Sequence, residues 1–121
     1  MFVRKVAALL KANSLPEFTH VMECEILPWL RRQEGFLDLI ILAVPGSEEV
    51  AAISFWDHQA NAEAYNTDVY PEVLEILERL LDSAPYIKTF DVVSSTFHRV
   101  ARPSRAGHFQ ETGSAPWLSS T

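Results

Sequence analysis

Residues 36–56, "FLDLIILAVPGSEEVAAISFW", decide the architecture. The segment 36–44 has one polar side chain, Asp38, in an otherwise apolar run. "PGSE", 45–48, is a turn, and "EVAAISFW", 49–56, is a second extended segment. This is the pattern of a β-hairpin. Successive side chains of a strand point to opposite faces. Leu37, Leu39 and Ile41 therefore alternate with Phe36, Ile40 and Leu42, and both sets are apolar. Helices from the same chain can cover one face of the hairpin. The other needs cover from outside, and a second copy packed sheet to sheet supplies it most economically.

Working outward, residues 2–10, "FVRKVAALL", read as a strand despite the adjacent charges Arg4 and Lys5. Ser14 is positioned to cap a helix, with Pro16 in its first turn and Glu17 at the positive end of its dipole. Leu15, Phe18, Met22, Ile26 and Trp29 recur at helical spacing. Pro28 removes one amide donor and crowds the Cys24 carbonyl, which predicts a kink or break, and Gly35 is a stop signal. After the hairpin, Asp57 is expected to cap a short helix over 58–65, interrupted by "NTDVYP". A second helix starts at Pro71, with Val73, Ile76, Leu77, Leu80 and Leu81 as its buried stripe. Residues 86–100, "YIKTFDVVSSTFHRV", read as a long strand. The order β-α-β-β-α-β defines an α+β, ferredoxin-like fold with an antiparallel sheet and both helices on one side.

The chain has 121 residues, 48% hydrophobic and 21% charged, which suits one domain with its own core. The segment 1–100 is expected to form that domain and 101–121 a C-terminal arm. The arm is rich in Ser, Pro and Gly, yet carries Phe109, Trp117 and Leu118. Residues 1–98 hold 7 Lys and Arg against 15 Asp and Glu, whereas 99–121 hold three Arg against Glu111. The arm's charge thus opposes the body's, and contact with a neighbouring subunit is expected. The net charge of −6 gives no electrostatic support to nucleic-acid binding. No apolar run is long enough for a membrane span, and 1–11 lacks the apolar block of a signal peptide. A single cysteine, Cys24, excludes an internal disulfide. The expectation is a cytoplasmic protein.

The segments "PWLRRQEGF" (28–36), "ISFWD" (53–57), "AEAYN" (62–66) and "YPEVLEIL" (70–77) resemble the antibiotic biosynthesis monooxygenase family of the dimeric α/β-barrel superfamily. The resemblance covers residues 1–100. It implies a homodimer, a small pocket between sheet and helices, and oxygen chemistry on electron-rich aromatics with no flavin, metal or other cofactor. The haem-degrading branch of that family has an asparagine on the first strand, a tryptophan on the short helix and a histidine past the next helix start. This chain offers Val6, Ala7 and Ala8, then Tyr65, then Val73 or Leu74. Haem degradation is not expected.

Trp56 ends a strand against a helix start, so its ring covers that junction first and walls a pocket second. Ser54 shares its strand face. Tyr65 and Tyr70 bracket "NTDV", where their hydroxyls can either bond a substrate phenol or close the core with one wet edge. Among the four histidines, His20 falls on the solvent face of its helix with Glu17, Cys24 and Arg31. His58 lies at a helix start and His108 in the arm. His98 shares a side with Ser94 and Thr96 and is the candidate base. No metal-ligand spacing, glycine-rich phosphate loop or nucleophile elbow occurs. The expected function is cofactor-independent monooxygenation of a small phenolic, quinol or polyketide-like aromatic compound. The alternative is a non-catalytic dimeric barrel that binds a small apolar ligand.

Overall fold

The first strand, β1 (Phe2–Leu9), lies inside the sheet rather than at its edge. A computed structural model describes residues 1–97. Three more strands follow, β2 (Phe36–Ala43), β3 (Glu49–Trp56) and β4 (Tyr86–Asp91), in the order β2-β3-β1-β4. All pairings are antiparallel. This is the α+β ferredoxin-like arrangement. The register sets Phe2 opposite Trp56, Arg4 opposite Ser54, Val6 opposite Ala52 and Ala8 opposite Val50. That row forms the helix-covered side. Phe2, Val50 and Trp56 of that row, with Ala8 and Ala52 packed alongside, join Phe18, Val21, Met22 and Ile26 from the first helical layer and Ala62, Tyr65, Val73 and Leu77 from the second in one core.

The first helical layer is α1 (Leu15–Val21), a wider π-helical turn (Met22–Ile26), and α2 (Leu27–Leu30). Pro28 explains the widening, since it has no N–H to offer the Cys24 carbonyl. The Leu27 amide instead reaches back five residues to the carbonyl of Met22. The proline produces a swollen turn, not a break. Ser14 precedes α1 without a side-chain cap bond. Gly35 does not end the helix, which stops at Leu30. With φ +81, Gly35 opens β2, and its carbonyl accepts the Asp57 amide at 2.8 Å.

Three boundaries differ from the sequence expectation. The third helix, α3 (Gln59–Asp68), runs through "NTD", and His58, not Asp57, holds its N-cap position. The chain bends only at Val69, whose φ of −120 leaves the helical region, before α4 (Tyr70–Leu77). The last strand, expected over 86–100, ends at Asp91, while residues 92–95 have no regular structure.

A further correction concerns the hairpin. The register shifts between Phe36 and Asp38, so Leu37 is the extra residue of a β-bulge. The bulge changes the alternation, and Phe36 joins Leu39 and Ile41 against the core. The uncovered side carries Ile40 and Leu42, at 41% and 48% exposure, with Phe90 and Tyr86 from β4. The apolar open face is present, with its membership altered at one end. No helix of the described residues is long and apolar enough to cross a membrane.

Candidate functional site

Between sheet and helices lies a cavity of about 50 Å³, several times the space one water needs. Most of its lining is apolar: Val6, Ala52, Phe18, Met22, Ile26 and Val73 are representative. Polarity is confined to one wall, formed by Arg4, Ser54, Tyr65 and Tyr70.

Arg4 is the residue that reading the sequence missed. It is 3% exposed, although arginine is seldom fully buried unless paired. The signal was its parity: on an extended β1 it shares a face with Phe2, Val6 and Ala8. Its Nη2 donates to Asn66 Oδ1 at 2.7 Å. Its guanidinium carbon stands 4.1 Å from the Tyr70 ring centroid and 5.3 Å from that of Tyr65, within cation–π range. Burial pushes the Arg4 pKa below its ordinary value, and the group remains a cation at neutral pH. Burial also pushes Tyr65 up to about 12, against the opposing charge of Arg4. Tyr70 is raised for the same reason, opposed again by Arg4. Both phenols are therefore neutral hydrogen-bond donors in the physiological range.

Trp56 is 0% exposed and stands behind the cavity wall, not in it. Its indole N–H donates to Ser54 Oγ at 2.9 Å, and Ser54 Oγ donates to the Arg4 carbonyl at 3.3 Å. Its ring lies 5.2 Å from Tyr65 and meets Phe36 edge-on at 5.6 Å. Trp56 thus locks the strand–helix junction and fixes the position of Tyr65. The structure brings Ser54, Tyr65 and Tyr70 together at the cavity. His98 lies outside the described residues, as does the arm, 101–121. His20 and His58 are exposed, and His20 Nδ1 faces Cys24 Sγ at 3.7 Å on the outer surface. None of the described residues lining the cavity is a His, Asp or Glu. Among the described residues, no cluster of three His, Cys, Asp or Glu could hold a metal ion.

A second, open cleft of about 350 Å³ lies between α3 and β4, lined by Phe2, Arg4, Gln59, Ala62, Glu63, Asn66, Ile87 and Thr89. Arg4 borders both spaces.

No family model matches the chain, and no curated protein matches it. Solved structures do. A monooxygenase of Streptomyces coelicolor in complex with nanaomycin D superposes with a TM-score of 0.69 at 16% identity, covering 81% of this chain and 92% of that one. A Nitrosomonas europaea protein named for antibiotic biosynthesis monooxygenases gives 0.65 at 14% identity, covering 78% and 100%. A Deinococcus radiodurans protein so named gives 0.65 at 10% identity, covering 84% and 100%. At such identities the likeness shows that this chain has the fold of those structures.

Proposed function

We propose that the cavity binds a small phenolic, quinol or polyketide-like aromatic compound, and that the chain is a cofactor-independent monooxygenase acting on it. The observation that carries this reading is an apolar cavity with a single polar wall, made of a buried cation and two neutral phenols. Such a lining suits a flat ring and orients its oxygens, once the cavity opens beyond its about 50 Å³ to admit one. The monooxygenase named among the structural neighbours, with its nanaomycin D ligand, supports the same reading. Tyr65 and Tyr70 donate hydrogen bonds to substrate oxygens, Ser54 and Trp56 hold that wall in place, and His98 is the proposed base. The substrate is its own reductant. A phenol with a free para carbon gives four electrons and two hydrogens to O2. One oxygen atom becomes the second carbonyl of a quinone and the other leaves as water.

The chain is proposed to work as a homodimer joined through the open sheet face, where Ile40, Leu42 and Phe90 are exposed. A second reading, a non-catalytic binding protein, is favoured by the lack of a base among the described lining residues. Oxygen uptake with 1-naphthol separates the two. The expected result is uptake above the buffer rate, with 1,4-naphthoquinone formed in equal amount. Binding of 1-naphthol without uptake overturns the oxygenase reading and leaves the binding protein.

A further inference from the structure

Among the described residues, Arg4 is a buried cation without a buried anion. An ion pair among the described residues joins Arg79 to Glu17, both exposed and neither lining the cavity. Around Arg4 the structure places neutral groups: the Asn66 side-chain oxygen, the faces of Tyr65 and Tyr70, and the Tyr70 hydroxyl, which accepts from the guanidinium. Holding a charge out of water with only neutral partners is costly. A guanidinium has five N–H donors in a planar fork suited to a carboxylate or other oxyanion, and Asn66 Oδ1 accepts from one of its nitrogens. Asn66 itself is exposed, on the cleft side of α3. Glu63, the acidic residue on the same cleft, accepts a hydrogen bond from Gln59 at 2.8 Å. Arg4 is thus the common wall of a wide cleft and an apolar cavity, with a replaceable side-chain oxygen, that of Asn66, on the cleft side.

We propose that Arg4 is a receptor for an aromatic anion. The ligand enters by the cleft between α3 and β4, its charged oxygen takes the place of Asn66 Oδ1 on the guanidinium, and its ring extends into the cavity, which must widen beyond its about 50 Å³ to take it. The anionic oxygen belongs to a carboxylate or to an ionised phenol. This rests on the proposal that the cavity is the ligand site, and not on turnover there.

The probes are 1-naphthoate, its neutral counterpart 1-naphthamide, and 4-nitrophenol, whose ionised form alone is yellow. Binding is measured calorimetrically with the full chain. Charge-assisted pairing predicts that 1-naphthoate binds about 10- to 100-fold more tightly than the amide. Arg4→Met should erase that preference, and Arg4→Lys should retain part of it. Because Arg4→Met bears on the core, Asn66→Asp provides the test that keeps the fold. It places a tethered carboxylate on Arg4, and naphthoate binding should fall by a similar factor while amide binding holds. A rise in yellow colour when 4-nitrophenol binds at its half-ionised pH identifies a phenolate receptor. Binding of naphthoate without that rise identifies a carboxylate receptor. Equal affinity for acid and amide overturns the proposal, as does Asn66→Asp binding naphthoate as tightly as the parent. Tight naphthoate binding with no oxygen uptake overturns only the oxygenase reading, and failure of all three probes to bind overturns both.

Discussion

The guanidinium of Arg4 lies over the ring of Tyr70, with 4.1 Å from its central carbon to the ring centroid. The charge comes from the centre of the sheet and the ring from the first residue of α4. Replacing Tyr70 with Leu leaves an apolar filling but removes the π face. Stability should drop by about 0.5–2 kcal/mol, read from chemical denaturation. Tyr70→Phe keeps the face and should lose less. Equal losses in the two variants would show that the ring face contributes nothing.

Alkaline pH should destabilise the protein through Tyr65. In the unfolded chain a tyrosine ionises near 10, whereas burial holds Tyr65 at about 12. Below pH ~10 the phenol is protonated in both states and contributes its full share. Between those values the unfolded chain releases its proton and the folded one does not, so stability falls as pH rises. The loss amounts to about 2–3 kcal/mol over the window. In Tyr65→Phe this part of the alkaline loss should vanish, as followed by denaturation at a series of pH values.

The indole of Trp56 has no exposed surface, touches two aromatic rings and donates to Ser54. Trp56→Ala should cost about 3–5 kcal/mol. Trp56→Phe keeps most of the packing and should cost about 1–2 kcal/mol, part of it the lost hydrogen bond to Ser54. With respect to oxygen uptake, the Phe variant should retain partial activity. Complete loss of uptake in a normally folded Phe variant would make the indole a participant in the chemistry.

Gly35 has φ +81, and a Cβ there would come within 2.2 Å of the Asn61 side chain. Gly35→Ala combines backbone strain with that collision and should cost about 1–3 kcal/mol. Among the described residues the buried Asn61 Oδ1 has no hydrogen-bond partner, so Asn61→Ala forfeits little. In the Gly35→Ala background it should restore the steric part of the loss. Strictly additive effects in this double-mutant cycle would rule the collision out.

Light scattering should give twice the chain mass of 13.7 kDa at micromolar concentration. Ile40→Lys, placed in the open face of β2, should shift the species toward the single-chain mass while preserving the far-ultraviolet spectrum. A parent that runs as a single chain would sink the sheet-to-sheet dimer.

The fold was legible because its signals are periodic and local. Hydrophobic alternation in β2 and β3, helical spacing from Leu15 to Trp29, and the turn at 45–48 each report an element within a short window. The lining of the candidate site was legible in part. Ser54, Tyr65 and Tyr70 stood out by residue type and position, and they line the cavity. Arg4 did not stand out because a charge next to Lys5 reads as solvent-facing, and only its parity with Phe2 and Val6 argues otherwise. The Leu37 bulge was invisible for a different reason: both faces of β2 are apolar, so a one-residue phase change leaves no mark on the pattern. Element ends depended on caps that the structure does not use. Asp57 and Ser14 are good capping types, yet neither makes a side-chain cap bond.

The place of β1 between β3 and β4 has a consequence for synthesis. The first strand translated must wait for Glu49–Trp56 before one edge is paired, and for Tyr86–Asp91 before the other is. The bond from Arg4 to Asn66 spans 62 residues of chain. A nascent chain that has not yet exposed β4 therefore carries a free edge on its central strand, open to another chain. Closure by residues so distant in sequence makes for slow folding compared with a helical bundle of the same length. The polar wall of the cavity draws on residues from Arg4 to Tyr70, so it cannot form before β3 and α3 have been made, but it does not itself wait for β4.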